Sequence, residues 1–490
     1  PTPSALPIDD LRWYCPPDVI PAETTEGVEP IEGIIGQDRA LKALKLGVEL
    51  YGPGYNVFVC GLSGTGKATT IKTILEKLQP RKVLTRDYCY VHNFDDPDRP
   101  RLLVFERGMG RRFKTDMNEA MQLVFEKVPG QFEEAEYLKT KQALVDEYNR
   151  LEAELFGSFE KQIGPDGFVL GRVQEGQAVH PEILVRLGDK AVMVSDLPGA
   201  VAQELLTEEE AEQYAEKYRE HKLTLQDVFR RGLRLSREYQ KKIAEHERQI
   251  GSFFLLAIFK DMLDAYTGEE VQAYLNAVME NILENLDQFK STQEEGGEIP
   301  TEYDVNLLLD NSAASCCPVV VETVPTFRNI FGTIERKQDA SGFFYTDFTL
   351  IKAGSLLQAD GGFLVLNAAD ALTEPGVWKS LQRVLLYRKL EIQSLEMFAQ
   401  QSPTALKPEG IDVNVKVILI GNNEIYGALS EYERDFKKIF KVKADFDHEM
   451  PNTPIAVGQY AALVRRLISD EGLKHFDKRE IGRASCRERV

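Results

Sequence analysis

The sequence predicts an α/β fold in which a parallel sheet with flanking helices is interrupted by a long helical insert. Three features of the 490 residues predict it. An apolar run, a glycine-rich turn and a helical pattern follow one another from Val57 to Leu75. A helical region with mixed charges extends from about Arg112 to Gln293, and apolar strand-like runs return after it. The chain therefore leaves a β-rich fold and comes back to it.

The first strand, turn and helix have the pattern of a phosphate-binding loop. Asn56 to Cys60 predicts a buried strand, Gly61 to Gly66 a flexible turn, and Ala68 to Leu78 a helix with one apolar face. Glycines let backbone N–H groups surround phosphate oxygens, the start of the helix attracts anions, and Lys67 adds a point charge. An ordinary glycine-rich turn with a solvated lysine is the alternative. The expected nucleotide-binding residues are Gly61, Gly64, Thr65, Gly66, Lys67, Ala68 and Thr69.

The motif departs from the usual pattern at its last position. A Ser or Thr hydroxyl that helps to hold Mg²⁺ is expected after the lysine, and Ala68 stands there. Thr69 does not replace it, because the next residue on a helix points about 100° away. Mg²⁺ is bound largely through the phosphates of the substrate. We therefore expect nucleotide binding to survive with a weakly held metal.

Composition and charge exclude several classes of protein. A hydrophobic content of 43% with 28% charged residues describes a globular protein with a full core. The net charge of −19 makes nucleic acid an unfavoured partner, although a local basic groove stays compatible with it. The six cysteines show no CxxC spacing, which predicts reduced thiols and no metal site. Without a membrane-length apolar run or a leader peptide, we expect a cytoplasmic location and no membrane partner.

The region from Arg112 to Gln293 predicts long paired helices with solvated outer faces. Between its helices, the stretch "GFVLGRVQEGQAVHPEILV" has the pattern of a small β-hairpin with Gly176 in the turn. Such an insert either binds partners or only spaces other parts of the molecule. The sequence leaves both possibilities open.

After the insert, three runs have the apolar core of buried strands: "VNLLLD", "GGFLVLNAADAL" and "VKVILIGNNEIY". The last two end in polar residues. Ligands of open α/β sheets bind at the carboxyl ends of the parallel strands. The candidate residues at these ends are Asn367, Asp370, Asn422 and Asn423.

Several stretches, in order, closely resemble the AAA+ part of the Lon-related ATP-dependent protease family. They are "EGIIGQDRALKALKLGVELYGPGYNVFVCGLSGTGKATT", "YVHNFDDPDRPRLLVF", "IFGTIERK", "TDFTLIKAGSLLQADGGFLVLNAADAL" and "FKVKADFDHEMPNTP". The resemblance extends from about Leu6 to Arg479. The stretch "AGSLLQADGGFLVL" is also similar to the segment before the second ATPase motif of magnesium-chelatase and replicative-helicase relatives. The resemblance implies an AAA+ P-loop NTPase core.

The resemblance also implies a domain organisation. It places a leader at 1–30, the two halves of the AAA+ core at 31–111 and 294–453, the helical insert at 112–293, and the start of a helical lid at 454–479. The final stretch "EIGRASCRERV", residues 480–490, resembles a translated sequencing adapter. We therefore expect this tail to be an artefact, and the Ser-Lys protease domain of the family to be missing from this chain.

Roles near the nucleotide follow from the resemblance. Ile35, Gly36 and Gln37 match the segment that lies near adenine. Asn367 and Ala368 stand where working AAA+ proteins have Asp and Glu, which help to hold the metal and orient the attacking water. Asp370 is the nearest carboxylate that could replace them.

Two further roles concern the sensor and the neighbouring subunit. Asn422 matches the sensor residue after the fourth core strand. Lys437 matches the cation that reaches the γ-phosphate of a neighbouring subunit, with Arg434 and Lys441 as other candidates. Lysine lacks the planar fork with which arginine binds phosphate. For each of these cations a solvated surface charge is the alternative.

The resemblance implies the ATP-binding module of a Lon-like serine protease, with ATP and weakly held Mg²⁺ as cofactors. Such a module forms a homo-oligomeric, hexameric ring and feeds unfolded protein substrates to a peptidase chamber. The stretch "GFFYTDF", with Phe343, Phe344 and Tyr345, could grip substrate or lie in the core as a strand. The alternative function is a nucleotide-gated scaffold or adaptor with little or no hydrolysis. A helicase-like role is less favoured because the chain is acidic.

Overall fold

The fold is seen in a computed structural model of the chain. The described residues are 17–20, 22–31, 35–50, 52–61, 67–78, 85–175, 178–188, 190–203, 205–290, 299–314, 316–338, 341–393, 406–447 and 453–481. The chain divides into two compact units, which are Pro1–Asn118 with Pro300–Val490, and Glu119–Ile299.

The helices and strands are numbered along the chain. The strands are β1 (Val57–Cys60), β2 (Arg86–Val91), β3 (Arg101–Glu106), β4 (Phe168–Glu175), β5 (Ala178–Leu187), β6 (Lys190–Met193), β7 (Val305–Leu309), β8 (Val319–Glu322), β9 (Thr333–Ile334), β10 (Lys337–Gln338), β11 (Phe344–Tyr345), β12 (Ile351–Lys352), β13 (Phe363–Asn367), β14 (Lys389–Leu390), β15 (Ile411–Asp412), β16 (Lys416–Ile420) and β17 (Val442–Asp445). The helices are α1 (Asp38–Glu49), α2 (Lys67–Lys77), α3 (Met109–Gln131), α4 (Ala135–Ile163), α5 (Leu197–Ala202), α6 (Glu208–Ala265), α7 (Glu269–Glu284), α8 (Leu286–Lys290), α9 (Phe327–Phe331), α10 (Ser355–Gln358), α11 (Ala368–Thr373), α12 (Val377–Tyr387), α13 (Asn423–Tyr432), α14 (Phe436–Ile439) and α15 (Pro454–Glu471).

A five-stranded parallel sheet in the order β17, β1, β16, β13, β8 forms the centre of the first unit. Strand β1 is apolar and buried along its length, and β13 is so from Phe363 to Leu366, as is typical of parallel sheets that are covered on both faces. Strand β1 lies between β16 and β17, with Val57 beside Ile418 on one side and Val442 on the other. This sheet and the helical region that interrupts it confirm the predicted α/β fold.

A second, antiparallel sheet of β3, β2 and β7 belongs to the same unit. The "VNLLL" run forms β7 and therefore lies in this sheet and not beside the other core strands. The fully buried carboxylate of Asp87 accepts hydrogen bonds from the backbone N–H groups of Gly110 (3.0 Å) and Asn311 (2.8 Å). It thereby joins β2 to the start of α3 and the end of β7.

The amino-terminal segment packs against α15 in the first unit. Ile20 and Val28 lie in one apolar cluster with Val457, Ala461 and Ile481. The backbone N–H of Thr25 also donates to the carbonyl of Phe476 at 2.9 Å. Residues 482–490, which make up most of the suspected adapter tail, lie outside the described residues.

The second unit consists mainly of long helices. Helix α6 has 58 residues and begins with a capping box, in which the Thr207 side chain accepts from the Glu210 N–H at 3.3 Å. The predicted hairpin is confirmed by the antiparallel pair β4 and β5, although Gly176 of its turn lies outside the described residues. No helix of the described residues has both the length and the apolar character of a membrane span.

A carboxylate network joins three helices of the second unit. Glu247 of α6 accepts from the Tyr137 hydroxyl of α4 at 2.5 Å and from the Lys290 ammonium at the end of α8. Burial by itself raises the pKa of Glu247, but hydrogen bonds from Lys290 and Tyr137 outweigh it and hold that pKa below its usual range. The ionised form of Glu247 therefore stabilises the folded unit.

We expect Glu247→Gln to lower the free energy of unfolding by about 1–3 kcal/mol near neutral pH, because a charged acceptor for Lys290 and Tyr137 is lost. Since the pKa is lowered by folding, this stabilisation is present above the ordinary pKa of a glutamate and is lost as the pH falls through the lowered value. Denaturant unfolding followed by circular dichroism at a series of pH values measures the difference.

The matched control is Glu245→Gln, which changes an exposed glutamate two residues away on the same helix. It should leave stability within about 0.5 kcal/mol of the unmodified protein. Equal losses in the two variants would contradict a stabilising role for the Glu247 network.

Candidate functional site

The carboxyl edge of the parallel sheet brings together the ends of β1, β13, β16 and β17. In the register of the sheet, Ile420 lies beside both Val59 and Asn367, and Cys60 lies beside Asp445. Neighbouring strands are about 4.8 Å apart, so Asn367 is about 10 Å from β1. The candidate residues of the glycine turn and of β13 and β16 therefore belong to one edge.

Gly61 lets the chain turn sharply at the end of β1. Its φ angle is +89°, and a Cβ atom there would lie 2.0 Å from the carbonyl oxygen of Phe446. The Phe446 N–H donates to the Cys60 carbonyl at 2.9 Å, so this segment is fixed against β1. Only glycine fits such a position.

The turn that follows Gly61 is only partly described. Gly64, Thr65 and Gly66 lie outside the described residues. Lys67, Ala68 and Thr69 form the first turn of α2, and their side chains are not described. The described part of this segment is therefore Gly61 at the carboxyl edge and the backbone of α2 from Lys67 onward, and the phosphate-loop assignment stays a prediction.

Asn367 and Asp370 lie where β13 passes into α11. The Asn367 side chain is the N-cap of α11 and accepts from the Ala369 N–H at 3.0 Å. Asp370 is exposed in the first turn, and the described residues provide no recorded partner for its carboxylate. At this edge, Asp370 is a carboxylate that is free to meet a ligand.

Ala368 is enclosed by the core. It has no exposed surface, and the position of a Cβ atom on Gly421 would be 3.3 Å from the Ala368 Cβ and 2.7 Å from the Phe58 ring. A glutamate at position 368 would therefore have to displace packed groups. Introducing the usual Asp and Glu at positions 367 and 368 would therefore also require changes in the residues packed around position 368.

Asn422 and Asn423 follow β16, and both amides are engaged within the chain. Asn422 is the N-cap of α13 and accepts from the Ile425 N–H at 2.8 Å. The Asn423 side chain accepts from the Lys443 ammonium at 2.7 Å. The sensor candidate therefore also holds the start of a helix.

Sequence reasoning missed Lys443 and Asp445, which project from β17 at the same edge. The Lys443 ammonium donates to Asp445 at 3.0 Å and lies 4.8 Å from the centre of the Tyr426 ring. Burial raises the pKa of the neighbouring Cys60 thiol to about 11, with Lys443 acting in the opposite direction. The period-two alternation of "VKAD", with polar residues at its second and fourth positions, was the available signal.

Gln37 fixes the adenine-side candidates to the end of β17. Its side-chain amide donates to the Asp447 carbonyl at 3.0 Å and accepts from the Asp447 N–H at 2.8 Å. Ile35 and Gly36 precede α1 in the same turn, and both are half-buried. This segment therefore lies next to the carboxyl edge.

Lys437 lies at the opposite, amino edge of the sheet. It is exposed on α14, whose Ile439 carbonyl accepts from the side chain of Asn56, just before β1. Lys441 nearby donates to the Pro53 carbonyl at 2.9 Å, which leaves Arg434 and Lys437 without a recorded partner among the described residues. The structure does not bring Lys437 to the phosphate turn of its own chain.

A small cavity at this amino edge is a poor candidate for a nucleotide site. Its volume is about 50 Å³, and its lining includes Asn56, Arg388 and Lys416. The Lys416 ammonium donates to the carbonyls of Val48 (3.0 Å) and Leu50 (2.6 Å) at the end of α1. The cavity has room for a few water molecules.

Two family models match the chain. The model described as "LonB-like, AAA domain" matches residues 315–447, which contain β8 to β17. The model described as "Lon-like LonC helical domain" matches residues 87–120, which contain β2, β3 and the start of α3. Together the two matches support a Lon-related AAA+ family and an ATPase module of the Lon type.

Two solved structures of NtrX from Brucella abortus are also similar to parts of this chain. One is 17% identical, with 35% of this chain and 39% of that chain covered and a TM-score of 0.22. The other, in complex with ATP, is 20% identical, with 32% and 31% covered and a TM-score of 0.21. The chain thus covers less than half the length of either structure. With TM-scores this low, we infer nothing from the likeness. No curated protein sequence matched.

We expect Ala368→Glu to destabilise the first unit by about 3 kcal/mol or more, because it places a charged side chain in a filled, apolar position. Asn367→Asp should be tolerated within about 0.5 kcal/mol, because aspartate caps a helix as well as asparagine does. Thermal and denaturant unfolding of both variants measure these effects.

Ala369→Glu is the matched control, since this neighbouring alanine of α11 is exposed. Its stability should stay close to that of the unmodified protein. Equal stability of Ala368→Glu and Ala369→Glu would contradict the description of Ala368 as enclosed by the core.

Proposed function

We propose that the chain is the ATP-binding AAA+ module of a Lon-like ATP-dependent serine protease. The observation that carries this proposal is Gly61, whose left-handed backbone ends the interior strand β1 at the carboxyl edge, six residues before the start of α2. In this role the module unfolds or translocates protein substrates toward a Ser-Lys peptidase domain. The matched AAA domain supports the ATPase part of the proposal.

In this proposal the residues at the carboxyl edge bind the nucleotide. The backbone from Gly61 to Lys67 would surround the phosphates, and the Lys67 ammonium would neutralise part of their charge. Ile35, Gly36 and Gln37 would border the base. When bound, Mg²⁺ would neutralise charge on the transferred phosphoryl group, and Asp370 is the carboxylate best placed to help to hold its waters.

The neutral groups at this edge support slow turnover. Ala68 lacks the hydroxyl that helps to hold Mg²⁺, Asn367 uses its side-chain oxygen to cap α11, and Ala368 offers no carboxylate. Phosphoryl transfer depends on charge neutralisation and on a positioned nucleophile. We therefore propose that ATP is bound with weakly held Mg²⁺ and hydrolysed slowly.

We expect Lys67→Ala to abolish ATP binding, because it removes the fixed cation of the phosphate turn. The matched control Lys72→Ala, an exposed lysine later on α2, should bind ATP as the unmodified protein does. Isothermal titration with ATP and Mg²⁺ measures binding, and a phosphate-release assay measures turnover. Release faster than about one per second, the low end of ordinary enzyme turnover, would contradict the assignment of Asn367 and Ala368 as defective positions.

An exposed aromatic hairpin supports the substrate-handling part of the proposal. Strands β10 and β11 pair antiparallel, and Phe343, Phe344 and Tyr345 are 74%, 68% and 46% exposed. The alternative that these aromatics belong to the core is therefore wrong. In a homo-oligomeric ring, such a hairpin would contact unfolded polypeptide, and the exposed Lys437 would face the nucleotide of a neighbouring subunit.

Substituting Phe343 and Phe344 by serine should weaken the binding of fluorescein-labelled unfolded casein about tenfold, because exposed aromatics act as anchors at protein interfaces. Fluorescence anisotropy in the presence of ATP measures the affinity. Phe253→Ser, which removes an exposed aromatic of α6, is the matched control and should bind casein normally. Unchanged binding by the double variant would show that the hairpin is not part of the substrate site. The nucleotide proposal would be unaffected.

The same neutral groups at the edge favour a second function, a nucleotide-gated scaffold or adaptor. In that case ATP would order an oligomer with no release of phosphate. Sedimentation velocity with ATP, combined with the phosphate-release assay, distinguishes the two functions. Assembly with sustained release supports the protease module, and assembly without release supports the scaffold.

A further inference from the structure

The middle of α6 concentrates positive charge in a chain with a net charge of −19. From Val228 to Lys242 the helix contains a single carboxylate, Glu238. The cations of this stretch are Arg230, Arg231, Arg234, Arg237, Lys241 and Lys242. All are exposed, and among the described residues the recorded ion pair of this group joins Arg231 to Asp227 at 3.1 Å.

Four of the cations share one face of α6, because their spacings of four, three and four residues match the helical period. We define the cationic strip as Arg230, Arg234, Arg237 and Lys241. It extends over about 17 Å of helix. Like charges at these spacings repel one another and weaken a helix. An anionic partner would remove that repulsion.

A groove with apolar and polar side chains in its lining lies beside Phe229, the residue of α6 that precedes Arg230 of the cationic strip. Its volume is about 660 Å³, and it lies between α4, α6 and the β4–β5 hairpin. The apolar residues that line it are Ala153, Phe156, Leu170, Pro181 and Phe229. Phe229 immediately precedes the strip and is 42% exposed, and Leu233 one turn later is 46% exposed.

The polar residues that line the groove are Asn149, Glu152, Arg172 and His180. Arg172 of β4 is exposed at the groove and has no recorded partner among the described residues. The carboxylate of Glu152 accepts from the Tyr148 hydroxyl at 2.9 Å, so one of its acceptor positions is already used. A ligand that spans the groove and the strip therefore meets apolar and polar groups in the groove and an excess of cations along the strip.

We propose that the groove and the cationic strip bind an acidic stretch of polypeptide that carries a large apolar side chain. Its carboxylates would pair with Arg230, Arg234 and Arg237, and the apolar side chain would enter the groove beside Phe229. Clefts of about 300–1,000 Å³ that combine apolar walls with a few polar groups are the usual form of ligand sites, and a large apolar side chain would fill part of such a cleft. Complementary charge would select the partner and speed its association.

The shape of the surface favours a polypeptide over other anionic partners. A bilayer binds helices whose apolar side chains project into it, whereas Phe229 lines a concavity. Nucleic acid would pair with the cations and leave the aliphatic side of the groove at Leu170 and Pro181 unfilled. The proposed site lies within residues 119–299 and needs no ATP turnover, so its failure would leave the nucleotide proposal intact.

The test uses the full chain and a fluorescein-labelled peptide of aspartates and glutamates around a Phe-Leu pair. The triple variant Arg230→Glu, Arg234→Glu and Arg237→Glu should bind this peptide at least about tenfold more weakly, because each change replaces attraction by repulsion. Phe229→Ser should weaken binding about fivefold. The same peptide with Asn and Gln in place of its acids should bind at least about tenfold more weakly, and added salt should lower the affinity for the acidic peptide.

Matched controls keep the number of changed residues constant. The triple variant Lys139→Glu, Lys161→Glu and Lys260→Glu reverses three exposed lysines of the same unit, and Leu205→Ser removes an exposed leucine. Both should bind the peptide as the unmodified protein does. Circular dichroism should show the same helix content in all variants, since every changed residue is at least partly exposed.

Three outcomes would overturn the proposal. The first is equal binding of the acidic peptide by the arginine variant and the unmodified protein. The second is tighter binding of a single-stranded DNA oligonucleotide, or of phosphatidylcholine vesicles containing phosphatidylserine, when that binding is lost in the arginine variant. The third is a change of oligomeric state in the arginine variant with no peptide binding by the unmodified protein, which would make a second copy of the chain the occupant.

Discussion

The absence of a side chain at Gly61 is the constraint on which the carboxyl edge depends. The carbonyl of Phe446 occupies the space where a Cβ atom would be, and the backbone there is in the left-handed region. The same segment continues to Asp447, which is hydrogen-bonded to Gln37 at the start of α1. Any side chain at position 61 would therefore move the end of β17, and with it the beginning of α1.

The asparagines at this edge stabilise the starts of helices but provide no charged group for phosphoryl transfer. Asn367 and Asn422 each satisfy a backbone donor in the first turn of the following helix. Aspartate would cap equally well and would also interact favourably with the helix dipole. The preference for a neutral amide therefore reduces negative charge at the edge with no gain in capping. Lys443, held between Asn423 and Asp445, adds a cation to the same edge.

Local patterns were sufficient to predict much of the fold and the location of the candidate site. The strand, glycine turn and helix from Val57 onward, and the hairpin of β4 and β5, follow from periodicity and turn residues. Pairing between distant segments was not predictable in this way, because an apolar run such as "VNLLL" fits either sheet. The burial of Ala368 also depends on Phe58 and Gly421, which are far away in sequence.

Side-chain exposure was the least predictable property of the proposed binding surfaces. The aromatic run at Phe343 and Phe344 has the composition of a buried strand, yet it is exposed because β10 and β11 form a separate two-stranded hairpin. The arginines of α6 were part of a region read as a solvated helical face. Their helical spacing is visible in the sequence, but the groove beside them requires the packing of α4 and the β4–β5 hairpin.

The position of β1 between two late strands has a consequence for the synthesis of the protein. Strand β1 emerges from the ribosome before its neighbours β16 and β17, which begin about 360 residues later, as the pairing of Val57 with Ile418 shows. At roughly 5–20 residues per second, their arrival takes about 20–70 s. During that time the strands that pair with Val57, Phe58 and Val59 in the folded protein have not yet been synthesised. The nascent chain therefore carries an unpaired apolar strand, the kind of segment that chaperones shield from aggregation.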